Sequence, residues 1–263
     1  MNRQQKLRQS LNQAVKMSIV ASSIMLALTG CKQEGRVTTN SPDLTGLWRM
    51  TVDSNQSGVN LELGFTSTIR DNGNTVVMRS CVERVDETLN RQGSILSPSP
   101  NGDITITNND NMSANGDLGP VKFQKMSVKP QFDLSSLAIQ TSGIVPVSSD
   151  EVCTSSVVAK IVGMSALETF TVYTPYQGSV LGIEMSKVSK FSAGEYSVGP
   201  VDATVTIAME SPAFQSPFGN SRIDLKEGTL TVTERSAVWF KGNFDAQLPN
   251  GVPISAQFEL ELP

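Results

Sequence analysis

The chain has no histidine among its 263 residues. That excludes a serine–histidine–aspartate triad, a cysteine–histidine pair and imidazole-ligated zinc, and it removes the commonest general base near neutral pH. No serine is followed three residues later by lysine, so the serine–lysine motif of penicillin-recognising enzymes is missing as well. No glycine-rich loop ends in Lys-Ser or Lys-Thr to cradle a phosphate. Basic residues are outnumbered, 21 Lys+Arg against 25 Asp+Glu, the reverse of the footprint left by a nucleic-acid binder. The chain also lacks a run of about 20 apolar residues, the length a membrane-crossing helix requires.

What is present begins at the N-terminus. Arg3, Lys6, Arg8 and Lys16 make a basic leader without an acidic residue, followed by the short apolar run Met17–Leu28 and small residues. Charge, apolar length and small residues in that order describe a secretory signal. The residue at the cut site is a cysteine, in Leu28-Thr29-Gly30-Cys31. This tetrapeptide resembles the lipobox of bacterial lipoproteins. The resemblance covers residues 1 to about 32 and implies removal of residues 1–30 and acylation of Cys31. It further implies attachment to a membrane through lipid, and, since Lys32 is not an aspartate, delivery to the outer membrane. One acyl chain alone holds weakly, whereas the three of a lipoprotein cysteine hold permanently. Residues 31–42 read as a polar, flexible tether with an r.m.s. span of about 15–20 Å.

Cleavage would leave about 233 residues, enough for one large or two small domains. Four of the 21 basic residues leave with the signal, and acylation removes the terminal amine, so the mature net charge is about −8. With 38% hydrophobic residues the body can still build a core. Cys31 being assigned to lipid, Cys81 and Cys153 remain as a pair in an exported chain, where a disulfide is expected.

The body is read as all-β. Along 238–248, Val238, Phe240, Phe244, Ala246 and Leu248 share one face, and Trp239, Lys241, Asn243, Asp245 and Gln247 the other. Pro249-Asn250-Gly251 then supplies a tight turn, and Ile254, Ala256, Phe258, Leu260 and Leu262 repeat the alternation. Similar patterns mark Ala203–Met209, Thr229–Thr233, Trp48–Val52, Val59–Phe65 and Thr75–Val85, with Asp71–Asn74 as a hairpin turn. Thr88–Gly119 reads as a long polar loop around one short strand, Ile104–Ile106. The expected fold is an antiparallel β-sandwich, or two similar small sandwich or barrel units. The expected organisation is a β region over 43–165 and another over 166–263, or one continuous domain.

Chemistry is sparse. Glu83, Asp86 and Glu87 lie near Cys81, and Asp150 and Glu151 precede Cys153, so a bridge would gather acidic side chains. A calcium site is one reading, and solvated strand-end charges are the favoured one. Aligning Gly116 with the glycine of an EF-hand loop puts Lys122 where a bidentate glutamate belongs, and the motif fails. Trp239, on a polar strand face, could anchor a protein or sugar, although a covered cross-strand position is expected. Gly46-Leu47-Trp48 faintly resembles the Gly-x-Trp opening of lipocalins, which implies a closed barrel with an apolar pocket. No catalytic, cofactor or metal residue is assigned, and no cofactor is called for. The sequence-level reading is a non-enzymatic, lipid-anchored envelope protein that binds or scaffolds, with an envelope protein or glycan as partner and no nucleic acid. A lipocalin-like carrier of a small hydrophobic ligand is the alternative.

Overall fold

Period-2 sequence patterns become strands throughout the computed structural model, which describes residues 41–263 apart from 57–58, 82–83, 100–101, 143–146, 150, 162, 177–178, 200–201 and 210–221. No helix occurs among the described residues, and the architecture is all-β and antiparallel apart from two single-residue parallel contacts.

The first eight strands are β1 (Gly46–Gln56), β2 (Val59–Asp71), β3 (Thr75–Ser80), β4 (Asp86–Gln92), β5 (Ile95–Ser97), β6 (Ile104–Ile106), β7 (Asn111–Gly116) and β8 (Gly119–Ser127). Each pairs antiparallel with the next, and β8 returns to β1, closing an eight-stranded up-and-down barrel. Closure removes the free strand edges that would otherwise invite aggregation. A barrel of this size is just wide enough to be filled by side chains or to hold one small ligand. Here Trp48, Val52, Leu63, Ile69, Val76, Met78, Leu89, Leu96, Ile104, Met112, Val121 and Phe123 pack together in the interior.

The stretch read from sequence as a long loop, Thr88–Gly119, instead holds most of β4, all of β5, β6 and β7, and the turns between them. Its strands are three to seven residues long and bury one or two side chains each, such as Leu89, Leu96, Ile104 and Ile106. So short an alternation carries little signal by itself. The strands are held by their neighbours around the barrel.

The remaining strands are β9 (Ser136–Thr141), β10 (Val147–Ser149), β11 (Cys153–Ile161), β12 (Leu167–Tyr176), β13 (Ser179–Val188), β14 (Gly194–Val198), β15 (Ala203–Met209), β16 (Arg222–Asp224), β17 (Lys226–Arg235), β18 (Trp239–Gln247) and β19 (Pro253–Glu261). They form a sheet whose first and last strands contribute to one core, with Leu137 and Ile139 of β9 sharing it with Phe170 and Val172 of β12. Phe170, Phe240, Phe258 and Phe191 stack inside it, the closest centroids 4.4 Å apart.

The two cores are joined through β2. Residues Ser67–Asp71 of β2 pair with β3, whereas Val59–Phe65 pair with β11. The wall of the barrel thus runs into the wall of the second unit. The faces exchange as it does so: Val157 of β11 packs on the barrel core, while Ser156 stands opposite Phe170 on the second core's side. Gly64 is required where the units meet, since a Cβ there would lie 2.6 Å from Ser156 Oγ and 2.9 Å from Pro263 Cγ.

Candidate functional site

Three places were marked by sequence: the cysteine pair with its acidic neighbours, Trp239, and Gly46-Leu47-Trp48. The cysteines meet. Cys81, one residue past β3, is disulfide-bonded to Cys153 at the start of β11, with Cα atoms 5.6 Å apart. The bridge ties barrel to second unit and is buried with Leu47 and Phe132. Beside it is a void of about 10 Å³ lined by Thr66, Thr154, Ser135, Glu261 and apolar side chains, room for about one water.

Among the described residues the acidic side chains do not gather into a cation site. Arg84 takes the central position instead. Its guanidinium donates to the Glu151 carboxylate at 2.9 Å, to the Glu151 carbonyl at 3.0 Å and to the Tyr173 carbonyl at 3.4 Å. It also lies 3.6 Å from Cys153 Sγ and covers the Phe132 ring. Burial holds the Arg84 guanidinium below its usual range, with Glu151 opposing. Asp86 turns to Arg79 at 3.6 Å. Glu83 and Asp150 lie outside the described residues, and among the described residues no group of three metal-ligating acidic or thiol side chains occurs. Charge in this corner is answered by arginine, a structural arrangement that the sequence signal from cysteine and carboxylates did not reveal.

Trp239 is half-buried. Lys241 Nζ stands 4.5 Å from its ring centroid and makes ion pairs of 3.7 Å with both Glu234 and Glu259. The covered cross-strand position expected from the sequence is what the fold supplies, opposite Glu261 of β19.

Trp48 lies at one end of the barrel, here termed the floor. Its indole N–H donates to the Leu44 carbonyl at 2.8 Å, and Lys125 of β8 stands over the ring at 5.2 Å. Gly46 is needed at the floor because a Cβ would run into the Ser127 carbonyl of β8. The chain ahead of β1 crosses this end. Arg91 donates to the Pro42 carbonyl at 2.9 Å, Lys125 to the Asp43 carbonyl at 2.7 Å, and the Leu44 amide to Asp71 Oδ2 at 3.1 Å. The Arg91–Asp71 pair closes at 2.7 Å with both side chains 5% exposed. Asp43 caps this segment, its carboxyl held below the usual range chiefly by the Thr45 amide at 2.9 Å.

Met50, Leu61, Phe65 and Leu118 are packed on the barrel core yet only half-buried. Leu61 and Leu118 lie towards the opposite end, the mouth, whereas Met50 and Phe65 stand level with Phe123, short of the buried Val52, Leu63 and Val121.

Cys31 lies outside the described residues, so the lipobox has no structural counterpart here. No family model, no curated protein and no solved structure matches the chain. Function therefore rests on the residues themselves.

Proposed function

We propose that this is a lipid-anchored envelope protein whose all-β body acts as a non-enzymatic binding or scaffolding module. The observation that carries the reading is the filled barrel: among the described residues Trp48, Ile69, Leu89, Leu96 and Phe123 are buried together in its interior. A container must keep space, whereas a strut must fill it. The anchor side of the reading rests on Leu28-Thr29-Gly30-Cys31 and the basic and apolar segments before it. With a mature charge of about −8, attraction to anionic lipid would not hold the body at a membrane, and acyl chains would.

A second reading is favoured by the mouth. The closed eight-stranded topology, opened by Gly46-Leu47-Trp48 and with Leu61 and Leu118 half-buried towards the mouth, suits a shallow lipocalin-like carrier of a small apolar ligand. Native mass spectrometry of protein purified from its own host separates the two. The module reading expects the acylated mass alone; a stoichiometric lipid or pigment retained on the protein sinks it in favour of the carrier.

A further inference from the structure

We infer that the barrel floor is the membrane-facing side of the molecule, so that the mouth is turned away from the bilayer; this rests on the reading of Cys31 as the acylated residue. The chain leading back to Cys31 leaves the body at one place. Pro42, Asp43 and Leu44 are fixed across the floor by Arg91, Lys125, Trp48 and Asp71, which belong to four barrel strands. The Asp71 amide also donates to Thr45 Oγ1 at 3.2 Å. A segment held at that many points does not peel away as an extension of the tether.

Chain length then limits how the body can turn. Eleven residues, Lys32 to Pro42, reach at most about 36–40 Å when fully extended. β2 runs Val59–Asp71 from mouth to floor, and a strand of that length, tilted as barrel strands are, puts the β1–β2 hairpin about 30 Å above the floor, beyond the short strands β3 to β7. To set the mouth on the bilayer, the eleven residues would have to run along the whole barrel. Only nearly straight conformations allow that, and they are a small part of what the segment can adopt. With the floor towards the membrane no such restriction applies.

Floor chemistry fits a surface that stands off the bilayer. Its turns, Asn72-Gly73-Asn74, Gly93-Ser94 and Thr107–Asp110, are polar and exposed, with Asp110 acidic. Lys125 and Arg91 are engaged with backbone carbonyls, and Arg91 also with Asp71, rather than offered to lipid phosphates. Val128, exposed just past β8, is a single apolar side chain and too little to insert. Acyl chains would hold the floor near the membrane, and the mouth would meet whatever the envelope offers.

The test places a fluorescent amino acid at Asn72 in the floor or at Asp117 in the mouth of the full-length acylated protein. The protein is reconstituted in phosphatidylcholine vesicles that carry a headgroup acceptor dye. Energy transfer from position 72 should exceed that from position 117 several-fold, and Cys31→Ser should abolish transfer from both. Equal or reversed transfer with the acyl mass present on Cys31 overturns the orientation and leaves the anchor standing. Absence of that mass overturns both.

Discussion

The barrel and the second unit close their ends with the same device, built from different parts. In the barrel, a crossing segment inserts Leu44, whose amide donates to Asp71; Arg91 pairs with that carboxylate, and Lys125 covers Trp48. In the second unit, the segment between β13 and β14 inserts Phe191, whose amide donates to Glu168 at 2.6 Å. Arg235 pairs with that carboxylate at 2.8 Å and covers Phe170. Each plug joins a buried carboxylate, a backbone amide, an arginine and a cation over an aromatic ring. What differs is the setting. Barrel strands are hydrogen-bonded all the way round, so its plug seals an end already closed. The second unit relies more on its aromatic cluster, and its carboxylate, Glu168, is fully buried. The comparison teaches that a charged pair is tolerated in a small β core where one carboxylate can satisfy both a main-chain donor and a guanidinium.

The largest effect should come from breaking the second plug. Glu168→Ala leaves Arg235 and the Phe191 amide unmatched and should cost about 5 kcal/mol, the upper end for one partner of a buried pair. Urea unfolding would check it. A loss under about 1 kcal/mol would show that the second plug is dispensable. Next comes the link between the units. Replacing Cys81 and Cys153 together by serine should cost about 4 kcal/mol by the loop-closure estimate for a bridge spanning 72 residues. Calorimetry would then report either one transition at lower temperature or two; one is expected, because β2 and β11 remain hydrogen-bonded without the bridge.

Asp71→Ala should follow at about 3 kcal/mol, less than Glu168→Ala because Asp71 is only partly buried whereas Glu168 is fully buried. The two alanine variants measured side by side sharpen the comparison: a larger loss at Asp71 reverses the ranking of the plugs. The smallest effect is at the seam. Burial raises the Glu261 carboxyl above its usual 4.5, with Arg49 opposing. A raised acid binds its proton more readily folded than unfolded, so its contribution to stability is present below the unfolded value and is lost as pH rises through the folded one. Glu261→Gln should therefore stabilise at pH 7, by less than about 1 kcal/mol for a half-exposed group, and give no gain at pH 4. A gain equal at both pH values would remove the carboxyl as its cause.

Much of the fold was legible in the alternation itself. Ala203, Val205 and Ile207, Phe240 to Leu248, and Ile254 to Leu262 are buried where the pattern placed them, and the turn at Asn250-Gly251 has Gly251 at φ 83°. These strands are long and have one wet face, so period and burial agree. Thr75–Val85 reads as one strand, but β3 ends at Ser80, since Cys81 must leave the barrel to reach Cys153. The short barrel strands β4 to β7 escaped because each buries too few residues to show a period. The plugs escaped for another reason. Asp71 and Arg91 are 20 residues apart, Glu168 and Arg235 are 67, and nothing local marks a charge that folding will bury. Trp48 was legible as a first-strand core residue; its partners at the floor were not.

Sharing β2 has a consequence for mis-pairing. A strand that slips by one residue turns every side chain to the other face. In a strand serving one core, the penalty falls on that core alone. β2 pairs with β1, β3 and β11 at once. One slipped residue would put Leu63 and Ile69 outside the barrel and, if β11 followed, point Val157 into the second unit. Two misfolded states are thus merged into one, ruled out twice over. The same strand that joins the units also proofreads them.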